Sequence, residues 1–283
     1  MNYHQKPCVY VKNLELKIND MEKSLDFYES VIGFQVLERE GKRAVLTADG
    51  QTPLLTLVEP EGVSPKEPNR TGLYHFALLL PQRSDLADFL KSLIENNIRI
   101  GASDHHVSEA IYLQDPDDNG IEVYTDREDS GWVWKDKEIH MTTERLNARD
   151  LLQAGTEKGW SGLPADTIMG HIHLHVADLE RAERFYCEGL GFDVVTSYGE
   201  QALFISSGGY HHHIGLNVWN GRGIPAASPN SIGLAHYTIV YPGDQEREEA
   251  VLRLKGLGFD VKKFDGIYAV NDPSGLNIRL SSK

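Results

Sequence analysis

The chain has 283 residues, 25% of them charged and 40% hydrophobic, with a formal net charge of −14. That is globular composition; it excludes a disordered, collagen-like or disulfide-stapled chain, and the acidic surplus argues against nucleic acid or an anionic membrane surface as a partner, because the whole-molecule field repels phosphate. No run of ~18 apolar residues is present to span a bilayer, and the start lacks the apolar segment of a secretory signal, so Cys8 and Cys187 are expected as free thiols in a reducing, cytoplasmic compartment.

Taken in order, a first unit (8–60) opens on alternating residues from Leu14 to Ile18, the period of a half-buried strand. Asp20 is placed to cap a helix. Phe27-Tyr28 follow seven and eight residues later, and Gly33-Phe34 ends the helix thirteen residues after the Asp. Glycine suits the left-handed position just past a helix. Short strands are predicted at 43–47 and 54–58. The second unit (70–127) opens on the strand 73–80, has a helix near 84–96, and closes on an Asp115-Pro116 turn and a strand at 121–124. Residues 128–167 carry no repeat; Trp132, Trp134 and Trp160 predict a linker packed against something.

The third unit (168–221) repeats the first: Asp178, Phe185-Tyr186 and Gly191-Phe192 recur at the same offsets, with strands at 202–206 and 213–219. The fourth (232–283) repeats the second, with a strand at 234–241, a helix near 244–257, an Asp272-Pro273 turn and a last strand at 277–280. The chain therefore reads as α+β, four βαβββ units in which 1 matches 3 and 2 matches 4. One such sheet has an apolar face and open edges, so each must pair with another.

The segment from His105 through Tyr112 and Asp115-Pro-Asp-Asp-Asn-Gly-Ile-Glu122, and the segment Gly170-His-Ile-His-Leu-His-Val-Ala-Asp178, resemble the vicinal oxygen chelate (glyoxalase/extradiol dioxygenase) superfamily in its four-module form. The resemblance covers the chain except the linker and is nearest to bacterial catechol 2,3-dioxygenases of this size. It implies four modules pairing into two open-barrel domains. It also implies two ligand positions per unit, one at the start of the first strand and one on the last strand.

Here the first positions are Asn13, His75, His171 and His236, and the last are Glu59, Glu122, Asn217 and Arg279. Their offsets are 46, 47, 46 and 43. A metal needs ligands from two paired units. Units 1 and 2 offer Asn13, Glu59, His75 and Glu122. Units 3 and 4 offer His171, Asn217, His236 and Arg279, with a fixed cation where a carboxylate belongs. Units 1 and 4 read as a metal-free pseudo-site. Units 2 and 3 offer His75, Glu122, His171 and Asn217, which include the two imidazoles and one carboxylate of a facial triad. That triad is the expected metal set, with His236 a half-buried structural histidine. A pairing of units 3 and 4 would move the centre.

The resemblance also implies three catalytic residues. His213 carries the acid–base role, from the second histidine of a His-His pair before an apolar strand. By strand alternation from Asn217, His213 and His211 face the site and His212 faces away. Tyr112 and His105 match groups that hold the substrate oxygens. His173 shares the face of His171. Phe76, Trp219 and Trp134 are candidate pocket aromatics, each read first as core or linker packing. The implied activity is extradiol cleavage of catechol, or a simple derivative, by O₂ to a 2-hydroxymuconic semialdehyde, with Fe(II) as cofactor and Mn(II) as the alternative. No dinucleotide-binding glycine pattern is present, which suits that chemistry. The same fold admits two other readings: another metal-dependent isomerase, lyase or thiol transferase, or a metal-free binding protein.

Overall fold

The structure, a computed structural model, describes residues 2–283. The first unit comprises β1 (Tyr10–Lys17), α1 (Met21–Phe27), β2 (Gln35–Glu40), β3 (Arg43–Thr47) and β4 (Pro53–Val58). The second comprises β5 (Gly72–Leu79), α2 (Arg83–Glu95), β6 (Gly101–Asp104), β7 (Ser108–Gln114) and β8 (Gly120–Asp126). The linker adds β9 (Trp134–Lys135), β10 (Glu138–Ile139), β11 (Glu144–Arg145) and α3 (Ala148–Gln153). The third unit holds β12 (Ile168–His175), α4 (Leu179–Glu183), β13 (Asp193–Tyr198), β14 (Ala202–Ser206) and β15 (Ile214–Asn217). The fourth holds β16 (Gly233–Tyr241), α5 (Asp244–Gly256), β17 (Lys262–Phe264), β18 (Ile267–Asn271) and β19 (Asn277–Ser282).

Two first-strand pairings set the architecture. β1 runs antiparallel to β16, and β5 antiparallel to β12. Units 1 and 4 thereby form an eight-stranded mixed sheet, β17-β18-β19-β16-β1-β4-β3-β2. Units 2 and 3 form a nine-stranded one, β11-β6-β7-β8-β5-β12-β15-β14-β13, with β11 of the linker on its edge. This is the α+β fold with curled half-barrel sheets that the repeats predict.

The repeated motifs have repeated jobs. The Asp20 and Asp178 carboxylates accept from the backbone N–H of Lys23 and Arg181, capping α1 and α4. Each helix then loosens into a π turn, Tyr28–Ile32 and Arg184–Gly189, where a plain helix was expected. The Tyr28 carbonyl takes the N–H of both Gly33 and Phe34, which draws the chain into the wider turn. The tyrosine of each Phe-Tyr pair reaches a neighbouring unit. Tyr28 Oη donates to Asp115 Oδ2 at 2.8 Å, and Tyr186 Oη donates to Asp272 Oδ2 at 3.1 Å. Both aspartates are buried and tie their Asp-Pro turns through the other oxygen, which accepts from Asn119 N and Leu276 N respectively.

One apolar core holds the inner faces of both sheets and helices, including Leu86, Phe89 and Leu93 of α2 with Phe76, Leu78, Ile121, Val123, Ile172 and Leu174. Linker packing is specific: Trp132 stacks on Tyr3 at 5.6 Å and Trp160 lies against Phe89 at 4.8 Å, while Trp134 stays exposed. Cys8 and Cys187 are free thiols. Among the described residues no helix is long and apolar enough to cross a membrane.

Candidate metal centre and its cavity

The pairing of β5 with β12 determines what can meet. Ala77 on β5 lies in register with His171 on one side and with Glu122 of β8 on the other. Residues in register point to the same face. A methyl group between them leaves room for the imidazole and the carboxylate to approach over it. His171 Nε2 lies 3.2 Å from Glu122 Oε2. His75, two residues before Ala77, brings its Nε2 to 3.0 Å from the same oxygen. All three side chains are buried, and their ligand atoms lie within 4.8 Å of one another. Among the described residues this is the one group of three His, Cys, Asp or Glu side chains so placed.

Two glycines allow the geometry. The register slips between Met169 and His171, so Gly170 is a bulge residue just before the ligand. A Cβ there would stand 2.0 Å from Tyr124 Oη. A second slip, between His173 and Leu174, leaves Tyr74 unpaired in β5, and a Cβ on the facing Gly120 would stand 2.1 Å from the Tyr74 carbonyl.

The electrostatics suit a cation. Burial pushes the Glu122 carboxyl up, but the imidazoles of His171 and His75 more than reverse this and hold it well below the usual carboxylate range. Burial pushes His171 down to about 4, against the pull of Glu122, so it enters the site as a neutral imidazole. His75 Nε2 is buried without an aligned hydrogen-bond partner. A buried polar atom left so costs free energy unless something else binds it. Two imidazole nitrogens and a carboxylate oxygen converging with one nitrogen orphaned fit a divalent metal of the Fe(II) or Mn(II) kind.

The centre opens on a cavity of about 220 Å³. His75 and Glu122 line it, and His171 Nε2, 3.2 Å from Glu122 Oε2, does not. Tyr112 is on its wall, and His105 Nε2 lies 2.6 Å from Tyr112 Oη. His105 Nδ1 faces the Thr142 carbonyl, which can only accept. The proton therefore sits on Nδ1, and Tyr112 Oη donates to Nε2. Burial, then the Glu122 charge, push the Tyr112 phenol well above its usual range, so it stays protonated.

The expectations for His211, His212 and His213 are corrected. His213 does not reach the cavity. Its Nδ1 accepts from Ser207 N, and its Nε2 donates to the Tyr3 carbonyl at 3.0 Å, beside the ring of His4. His212 lines the cavity instead, its ring 4.1 Å from that of His171. β15 begins at Ile214, so the three histidines lie in the preceding turn, where the alternation of a strand does not hold. His211, expected to face the site, turns onto Asp126 at 2.9 Å. Of the candidate pocket aromatics, Trp219 lines the cavity. Phe76 is in the core as expected.

Other walls escaped sequence reasoning. Tyr74 reaches the cavity because the bulge re-aims it, and nothing in the local pattern announces a bulge. Met141 and Thr143 come from the linker, which has no repeat to align. Tyr198 and Phe204 sit on β13 and β14, at positions the motifs do not cover. His173 lines the cavity as expected, and His175 Nδ1 pairs instead with Asn217 Oδ1 at 2.7 Å.

Comparison with known proteins places these features in a wider set. The profile of the glyoxalase/bleomycin resistance protein/dioxygenase superfamily matches residues 11–123 and 168–280. Catechol-2,3-dioxygenase of Bacillus subtilis (strain 168) is 49% identical over 92% of this chain and 92% of its own. Among solved structures, a putative dioxygenase from Bacillus subtilis superimposes with a TM-score of 0.64 at 12% identity, over 96% of this chain and 84% of that one. Glyoxalase I from Zea mays gives 0.59 at 19% identity, over 96% and 92%. At those identities the structures speak for the fold.

Proposed function

Because the chain belongs to the glyoxalase/bleomycin resistance protein/dioxygenase superfamily, we propose that it is an extradiol dioxygenase: it opens catechol, or a simply substituted catechol, with O₂ to a 2-hydroxymuconic semialdehyde. The observation that carries the reading is the combination of the His75–Glu122–His171 set with a ring-sized cavity that also presents His212 and the Tyr112–His105 pair. The near half-identity to a protein named catechol-2,3-dioxygenase supports it.

Fe(II), or Mn(II) in its place, held by His75, Glu122 and His171, would supply Lewis acidity toward two adjacent hydroxyls and the one-electron chemistry that O₂ requires. The protein supplies the rest. Burial holds the His212 imidazole well below its usual range, so it is neutral and free to accept a proton from a substrate hydroxyl. Tyr112, its own proton committed to His105, turns oxygen lone pairs toward a second hydroxyl and orients it. A volume of about 220 Å³ has room for a single ring, and Tyr74, His75 and Tyr112 also border a wider cleft of about 1180 Å³. Tyr74 and Trp219 line the cavity and remain partly exposed.

A glyoxalase-type reaction generally needs a further carboxylate at the metal. Glu122 is the one carboxylate lining the cavity among the described residues. Glu59, the other candidate, accepts from Met21 N and from Lys42. The test is anaerobic loading with Fe(II), then catechol and air. A yellow product that requires both metal and O₂ supports ring opening. Bound metal with no colour overturns it in favour of another reaction on this fold.

A further inference from the structure

The side chain of His211 is fully buried, and it links the cavity histidine to a carboxylate at the protein surface. His211 Nε2 lies 2.9 Å from Asp126 Oδ1, and His211 Nδ1 lies 2.7 Å from His212 Nδ1. Asp126 keeps 24% of its side chain exposed, whereas His211 keeps none. Tyr210 Oη also donates to Asp126 Oδ1, at 3.2 Å, and its oxygen lies 2.7 Å from that of Tyr124. The carboxylate is thus anchored from two sides.

The proton positions follow from what each atom can do. A carboxylate oxygen accepts, so His211 Nε2 carries the hydrogen. A neutral imidazole has one N–H, so His211 Nδ1 is an acceptor. Two ring nitrogens at 2.7 Å need one hydrogen between them, which places it on His212 Nδ1. His212 Nε2 then holds a lone pair, on the ring that lines the cavity.

We infer that Asp126, acting through His211, fixes the tautomer and orientation of His212 and is a positioning residue for the base of this site. The inference rests on the proposed ring-opening reaction only for its rate consequence. The tautomer is a property of the chain itself. When His212 Nε2 takes a proton from a substrate hydroxyl, no bond other than O–H breaks. The imidazolium so formed keeps its Nδ1–H on His211, whose Nε2–H already points to the anion.

The test uses the full chain, metal-free and loaded with Zn(II) as a diamagnetic stand-in, with ¹⁵N-labelled histidine. The His212 signals are assigned by their loss in His212→Gln. The expected wild-type pattern is a protonated Nδ1 and an unprotonated Nε2. In Asp126→Asn the amide can offer N–H to His211, which inverts the chain and shifts His212 toward the Nε2–H form. With Fe(II), Asp126→Asn should lower kcat by about 10- to 100-fold, the range for loss of a supporting hydrogen bond at a metal site, with KM and bound metal little changed. Asp126→Glu should recover most of the rate. His211→Gln serves as a second break in the chain should Asp126→Asn fold poorly.

An Nε2–H tautomer in the wild type overturns the inference. So does an unchanged tautomer and kcat in Asp126→Asn, or a rate loss that tracks bound metal. A wild type that leaves catechol intact sinks the ring-opening reading alone, and the labelled spectra still decide the tautomer.

Discussion

His75 and His236 hold the same register position in the two sheets, each two residues before the residue paired to the last strand's key position. In one sheet that position is Glu122, opposite Ala77; in the other it is Arg279, opposite Thr238. A fixed cation replaces the carboxylate, and Asn13 replaces an imidazole. His75→Ala, Glu122→Ala and His171→Ala should therefore lose bound metal on desalting, and His236→Ala should keep it, as read by metal analysis of each purified variant. Metal lost from His236→Ala and kept by His75→Ala would move the centre to the other sheet.

The neighbouring histidines separate chemistry from packing. His212→Ala should lower kcat by about 10²- to 10⁴-fold, the usual worth of a general base, while keeping its metal. His213→Ala should leave kcat near wild type and lose about 1–3 kcal/mol of stability, because Ser207 N and the Tyr3 carbonyl lose their buried partner. Turnover and urea unfolding of the two variants, side by side, decide it. The opposite pattern would restore His213 as the base.

Gly170→Ala should be among the most damaging small changes in the chain. Its Cβ would meet Tyr124 Oη at 2.0 Å, and Tyr124 is fully buried against Tyr210. Overpacking of this kind costs about 3 kcal/mol. Gly41→Ala, with nothing within 4 Å of the new Cβ, meets only the strain of its positive φ and should lose far less. Equal unfolding midpoints for the two variants would contradict the steric account.

Stability should fall as pH drops from 6.5 toward 4. Burial, with the charges of Arg279 and Arg43 behind it, pushes His236 down to about 4, and burial does the same to His4. A base with a lowered folded pKa binds fewer protons folded than unfolded across that window, so its stabilisation is present above it and lost below. One such histidine accounts for about 2 kcal/mol between pH 7 and pH 5. His236→Gln should shrink the pH-dependent loss by about that amount in urea titrations at the two pH values. An unchanged slope would mean that His236 titrates normally in the fold.

Much of this was open to a reader of the sequence, and for physical reasons. Capping aspartates, Phe-Tyr pairs and Asp-Pro turns are local chemistry that recurs at fixed offsets, so the four units are visible without coordinates. The charge of Arg279 argued against a metal in its sheet before any strand pairing was known. The misses share a cause too. Which of His211, His212 and His213 faces the cavity was misread because a period-two rule does not extend into the turn before β15. Tyr74 was hidden because a bulge cancels that same rule. The Asp126–His211 contact spans 85 residues and depends on how unit 2 meets unit 3, which no offset within a unit encodes.

The cross-pairing of the four units gives the molecule a hidden two-fold symmetry. A chain ending after unit 2 would leave the edges of β1 and β5 bare, and those are the edges that β16 and β12 cover here. A second copy would present equivalents of both. Residues 128–167 thus act as a covalent tether that turns what would be a dimer of half-chains into one polypeptide. The two seams differ: His75, Glu122 and His171 stand at one, and His236, Arg279 and Asn13 hold the matching positions at the other. Asymmetry of that kind is closed to a true homodimer, whose two seams must carry the same residues.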